Sequence, residues 1–272
     1  MIVNYPRMRR RVKGWPDDLD TALEFSSANP FSISAPKNWD GKLEYTNGSG
    51  WKMWDGSAIA SGEIENNHYI YLRGTGNSKI TGTTSSSVKW SIIGTNIACN
   101  GDIDLLLDYS TVKNGNRPAL ANNCYNSMFQ GCTSLTAAPS LPATTLNTNC
   151  YYYMFYGCTS LTTAPSLPAT TLANNCYYSM FQGCTSLTTV PSLPATTLAN
   201  NCYNSMFYLC TKIKLSTTAS GTYTKSYRIP QNGTGTTASG ALVYMFGNTG
   251  GTFNGAPKIN TTYYLDESNT IV

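Results

Sequence analysis

Nine cysteines and one histidine are the residues of this chain whose types most readily suggest chemistry. Eight of the cysteines pair off as Cys124 with Cys132, Cys150 with Cys158, Cys176 with Cys184, and Cys202 with Cys210, while Cys99 stands apart. Zinc sites built from cysteine pairs use Cys-x2-Cys spacings, whereas here seven residues separate each pair, and His68 is far from all of them. On a helix, cysteines eight positions apart lie about 12 Å apart along the axis, beyond the reach of a disulfide. The thiols therefore read as small buried hydrophobes, and neither a metal nor any other cofactor is expected.

The other candidate chemistries fail on their partners. A nucleophilic triad needs a histidine held by a carboxylate, yet His68 follows Glu65-Asn66-Asn67 at a strand edge and no Gly-x-Ser-x-Gly elbow exists. Paired glycosidase carboxylates cannot come from residues 118–211, which contain no Asp, Glu, Lys, Arg or His. Glu63 and Glu65 read as the solvent-facing positions of a strand, and Gly74-Thr75-Gly76 lacks the third glycine of a dinucleotide loop. Asp102, Asp104 and Asp108 invite a calcium reading, but the glycine and bidentate glutamate of an EF-hand loop are missing. They read instead as a solvated capping face. No catalytic residue is assigned, and the chain is expected not to be an enzyme.

What positions these residues is a repeat. Cys124, Cys150, Cys176 and Cys202 follow one another at 26 residues, each opening a copy of Cys-Tyr-x-x-Met-Phe-x-x-Cys-Thr. Such a period is the signature of stacked supersecondary units. Cys124, Met128 and Cys132 at i, i+4 and i+8 predict one face of a short helix, with Phe129 beside them. Pro139 and Pro142 then force an extended return limb, and leucine recurs at 135/161/187 and 141/167/193. The fold class expected is mixed α/β and β: an N-terminal β-sandwich followed by a leucine-rich-repeat solenoid with 26-residue repeats.

The domains expected are a basic arm over 1–22, a β-sandwich over 23–96, a solenoid cap over 97–117, the solenoid over 118–215, and a degenerate repeat with a C-terminal cap over 216–272. The sandwich rests on short apolar or alternating stretches at Phe31, Lys42, Trp51, Tyr69 and Val88, separated by turn signals such as Asn47-Gly48 and Asp55-Gly56. The cap rests on Cys99, nearly one period before Cys124. The degenerate repeat rests on Tyr244-Met245-Phe246-Gly247, whose Met245 lies 39 residues after Met206.

The string Met-Phe-x-Gly-Cys-Thr-Ser-Leu-Thr-x-x-Pro-x-Leu-Pro resembles the BspA-type leucine-rich repeats of bacterial surface proteins and of proteins from phages that infect gut bacteria. The resemblance spans roughly residues 118–211. It implies a right-handed solenoid, a role in adhesion and no chemistry. The segment with Trp39-Asp40-Gly41, Trp51-Lys52-Met53-Trp54 and Tyr71-Leu72-Arg73-Gly74 is similar to the small β domain that often precedes such repeats in phage and prophage proteins.

Composition narrows the partners. Charged residues are 12% of the chain, about half the usual share, so recognition along the repeats must use hydroxyls, amides and rings. The net charge of +4 is concentrated in Arg7, Arg9, Arg10, Arg11 and Lys13. Nucleic-acid binding by the folded parts is therefore not expected. No run of eighteen apolar residues exists to insert in a membrane, and no apolar run follows the N-terminal basic residues as in a signal peptide. Arg9, Arg10, Arg11 and Trp15 are the candidate anchor to other virion proteins, with a solvated terminus as the alternative.

Columns that differ among the copies, 126/152/178/204, 127/153/179/205 and 130/156/182/208, are expected to be exposed. They nominate Tyr152, Tyr153, Tyr156, Tyr178, Gln182 and Tyr208 as a surface for a host glycan or protein, against the alternatives of plain solvation or packing in a homo-oligomer. The function expected is a non-enzymatic virion surface protein of a phage of gut bacteria, serving host attachment; a bacterial cell-surface adhesin fragment is the alternative.

Overall fold

Along the first repeat the backbone turns at every fourth residue. Asn123, Ser127 and Gly131 have φ of 59°, 56° and 76°, and the same columns repeat the sign at Asn149, Tyr153 and Gly157, and at Asn175, Ser179 and Gly183. Positive φ is easy for glycine, tolerated by asparagine and costly elsewhere. The computed structural model that shows this describes residues 14–82 and 88–272. Arg9, Arg10 and Arg11, expected to serve as an anchor, lie outside the described residues.

Hydrogen bonding follows the same rhythm. The N–H groups of Asn126, Met128, Gln130 and Cys132 close turns onto the carbonyls three residues back. Those of Tyr125, Ser127, Phe129 and Gly131 leave the copy and donate to Cys150, Tyr152, Met154 and Tyr156 of the next, at 2.8–2.9 Å. Even-numbered donors thus shape each copy and odd-numbered donors tie it to its neighbour. The ladder continues from the second copy to the third and from the third to the fourth. It then steps to Ala241, Val243, Met245 and Gly247, where Tyr203, Ser205, Phe207 and Leu209 donate.

This geometry overturns the expected helical limb. Half of the donors that an α-helix would spend internally point out of the copy, and the apolar positions recur at a true period of four instead of 3.6. The chain has a single α-helix among the described residues, Leu105–Lys113, lying outside the four Cys-Tyr copies. Strands make up 26% of the residues, in several small sheets of which none is closed. The expected class, a β-sandwich followed by a leucine-rich-repeat solenoid, is therefore corrected to a β-rich fold of small open sheets and hydrogen-bonded turns.

The N-terminal part corrects the same way. Leu23–Ser27, Lys42–Thr46 and Asn67–Thr75 pair antiparallel in the largest sheet, but that sheet runs on through Ile97–Asn100 to Leu135–Ala137 of the first repeat, with Leu135 beside Ile97 in parallel register. A sheet shared with the repeats is not half of a separate sandwich. The N–H groups of Ile80 and Thr81 donate to Cys124, and that of Trp90 to Met128, filling two of the acceptors that the first copy would otherwise present bare. One apolar core runs unbroken from Leu23 and Phe25 through the repeats to Leu265.

Rings fill that core. Phe129, Phe155, Phe181 and Phe207 stack with centroids 5.6–5.7 Å apart, and Tyr125, Tyr151, Tyr177 and Tyr203 stack at 5.7–5.8 Å. Burying the Tyr, Met, Phe and Leu of one copy is worth roughly 6–12 kcal/mol, against about 1–2 kcal/mol for each residue forced to positive φ. Side-chain burial wins. The asparagines help, since the amide of Asn149 donates to Asn123 and that of Asn175 to Asn149, both at 3.0 Å.

Candidate functional site

The four copies expose a charge-free flank on which four tyrosines meet. Tyr152 and Tyr178, in one column of adjacent copies, stack at 4.9 Å with ring planes 12° apart. Tyr153 tilts against Tyr152 at 4.2 Å, against Tyr156 at 5.2 Å and against Tyr178 at 5.7 Å. All four are half-buried, their bodies packed and their edges open. Burial, then the neighbouring phenols of Tyr153 and Tyr178, push the Tyr152 hydroxyl well above the usual phenol range. Burial and Tyr153 also raise Tyr178. The Tyr152 and Tyr178 hydroxyls therefore stay neutral at physiological pH.

Gln182 and Tyr208 follow Tyr156 along the ladder, as the N–H of Gly157 donates to Gln182 and that of Gly183 to Tyr208. Tyr208 is turned to the far end, where its ring meets Tyr244 edge-on at 6.4 Å and its hydroxyl accepts from Asn248 at 2.9 Å. Trp15 packs its ring edge-on to Tyr71 at 5.8 Å and is half-buried there.

The expectation that every variable column is exposed is corrected. Asn126, Ser127 and Ser179 are buried, and Ser127 donates to the amide oxygen of Asn126 at 2.7 Å. These are the inner side of the turn, where a short polar side chain satisfies its neighbour and allows positive φ. The acidic cap is also corrected: Asp104 is 1% exposed, accepts a hydrogen bond from Tyr125 and lies by Arg117, which pairs with Asp102. Asp108 accepts from the backbone N–H of Gly76 and Thr111 and from the Ser110 hydroxyl, which hold its carboxyl down at about 2 despite partial burial.

All nine cysteines are free and buried. Cys158, Cys184 and Cys210 each donate the thiol hydrogen to the phenylalanine carbonyl of the preceding copy, at 3.0–3.1 Å. Burial pushes the thiols of Cys132, Cys184 and Cys202 up to about 12. Nucleophilicity needs the opposite shift. His68, the one imidazole, has its Nδ1 buried without a hydrogen-bond partner, and no group of three metal-ligating side chains converges among the described residues.

Arg73 lies on Asn67–Thr75, and no local pattern in the sequence marks it. Its guanidinium lies between the rings of Trp51 and Tyr109, at 3.9 and 4.3 Å, and pairs with Asp18 and Glu44 at 2.5 and 3.0 Å. With every face occupied, it fastens the sheet to the helix Leu105–Lys113.

No family model, curated protein or solved structure matches the chain.

Proposed function

We propose that this chain is a non-enzymatic adhesive protein that binds a host cell-surface glycan or protein through the neutral flank of its repeats, as a surface component of the virion of a phage of gut bacteria. One observation carries the adhesive reading: Tyr152, Tyr153, Tyr156 and Tyr178 gather into a single half-open cluster on a stretch of 94 residues, 118–211, without one charged side chain. Tyrosine offers flat apolar area at low entropic cost with a hydrogen-bonding tip. The resemblance of the Met-Phe-x-Gly-Cys-Thr-Ser-Leu string to repeats of surface and phage proteins supports the virion setting.

Labelled protein applied to a panel of gut-bacterial cells tests the adhesive reading. Cell binding that drops at least about 10-fold in the Tyr152→Ala, Tyr178→Ala double variant is expected, the equivalent of about 1.4 kcal/mol. Undiminished binding in a folded double variant rejects the tyrosine cluster. Sequencing the proteins of purified particles of the phage that encodes the chain tests the setting, and its absence from them rejects the virion.

A further inference from the structure

A trough lies beside the tyrosine cluster. Gly131, Gly157 and Gly183 form a column without side chains, and a Cβ placed on any of them would meet at most the backbone of the preceding glycine, at 3.8–3.9 Å. One flank is Gln130, Tyr156, Gln182 and Tyr208, half-buried and strictly alternating amide with ring. On the other side, one residue past the buried cysteine, stand Thr133, Thr159, Thr185 and Thr211, all exposed. In the fourth copy Leu209, 40% exposed, replaces the glycine and closes the trough. At the first copy the trough opens into a cleft of about 410 Å³, lined by Gln130 and Gly131 together with Lys89, Trp90 and Ser91.

We infer that this trough binds a linear neutral glycan laid along the ladder, one sugar to each copy. The inference rests on the adhesive reading above and names its ligand class. Three features select that occupant. On the surface beside the trough, Tyr152 and Tyr178 of adjacent copies stand 4.9 Å apart, close to the advance of one pyranose in an extended β-linked chain. Successive sugars in such a chain turn over, so an amide that hydrogen-bonds one and a ring that stacks on the next recur at alternate copies, as Gln130, Tyr156 and Gln182 do. The wall threonines offer neutral hydroxyls, and the whole trough outside Lys89 is uncharged, which disfavours acidic polymers.

Side-chain-free floor is the part a substitution can fill. Leu209 holds φ of 63° in the same column, so a side chain there is compatible with the ladder, and asparagine already takes positive φ at 123, 149 and 175. Calorimetric titration of the whole chain and of Gly157→Asn with cello- and xylo-oligosaccharides of increasing length, and with an acidic oligogalacturonate, tests the inference. Affinity that climbs with length to about three sugars and then levels, falls at least about 10-fold in Gly157→Asn, and is absent for oligogalacturonate is expected. A cooperative circular-dichroism melt shows that the variant is folded.

If the chain binds bacterial cells but no neutral oligosaccharide competes and Gly157→Asn changes nothing, the trough is not a glycan site although the adhesive reading stands. If neither cells nor oligosaccharides are bound, both fall. Affinity indifferent to chain length overturns the one-sugar-per-copy register.

Discussion

The hydroxyl of Tyr125, first ring of the buried tyrosine column, donates to the carboxylate of Asp104 at 3.0 Å. Asp104 is sealed from solvent, its second oxygen has no hydrogen bond, and the Arg117 guanidinium stands 3.6 Å from it. Burial, then the neighbouring Asp102, raise its carboxyl to about 6, against the opposing pull of Tyr125 and Arg117. The join between the N-terminal sheet and the repeats thus holds an acid whose ionisation burial opposes.

Stability should therefore fall as pH rises across this group. Between its unfolded value of 3.8 and about 6 the folded chain holds more proton on Asp104 than the unfolded chain does, so the stabilisation is present below about 4 and lost above about 6, by roughly 3 kcal/mol. Asp104→Asn keeps an acceptor for Tyr125 and removes the charge. Urea unfolding at pH 3 and 7.5 should show the variant more stable at the higher pH, by about 1–3 kcal/mol, with little difference at the lower; a variant equally or less stable at pH 7.5 refutes the assignment.

Leu209 tests the backbone argument. It carries φ of 63° where three copies have glycine, and it is partly exposed. Relief of left-handed strain should outweigh lost apolar contact and the entropy glycine adds to the unfolded chain. Leu209→Gly is expected to gain about 1 kcal/mol and raise the Tm by about 2–4 °C, while Gly183→Ala should lose about as much. A drop in Tm for Leu209→Gly would show that its side chain matters more than its φ.

Much of the ladder could be read from the spacing of residues, but its secondary structure could not. The 26-residue recurrence, the buried Cys, Met, Phe and Leu columns and the neutrality of the flank follow from composition and register. The helix did not, because apolar residues at 124, 128 and 132 satisfy a period of four almost as well as 3.6. The signal that separates them is polar: Asn123, Ser127 and Gly131, the residue types that accept positive φ, also recur at four. The column of Tyr125, Tyr151, Tyr177 and Tyr203 follows the cysteine in every copy but carries a hydroxyl that does not mark it as core, and the glycine column is silent because the residue that makes a trough has no side chain. Arg73, caught between Trp51 and Tyr109, is brought together by pairing across strands that no local pattern encodes.

The thiols should be chemically silent in the folded chain. Cys158, Cys184 and Cys210 are buried donors to backbone carbonyls, and burial raises all three. A thiol reagent such as dithionitrobenzoate should label none of the nine in native buffer and all nine in guanidinium. Rapid stoichiometric labelling of native protein would contradict the burial. Cys184→Ala should cost about 1–2 kcal/mol, for lost packing and one orphaned contact.

The sharpest energetic test lies in the middle of the phenylalanine column. Phe155 stacks on Phe129 below and Phe181 above, both at 5.6 Å, and is wholly buried. Truncation to alanine removes both ring contacts and leaves a cavity that rigid turns on either side cannot collapse, since their odd-numbered N–H groups fix the spacing between copies. Phe155→Ala should therefore cost about 3–5 kcal/mol and Phe155→Leu less, whereas Tyr152→Ala on the flank should cost about 1 kcal/mol or less beyond its stacking with Tyr178. Equilibrium urea unfolding separates these cases: if Phe155→Ala and Tyr152→Ala destabilised equally, the aromatic interior would not be what holds the copies together.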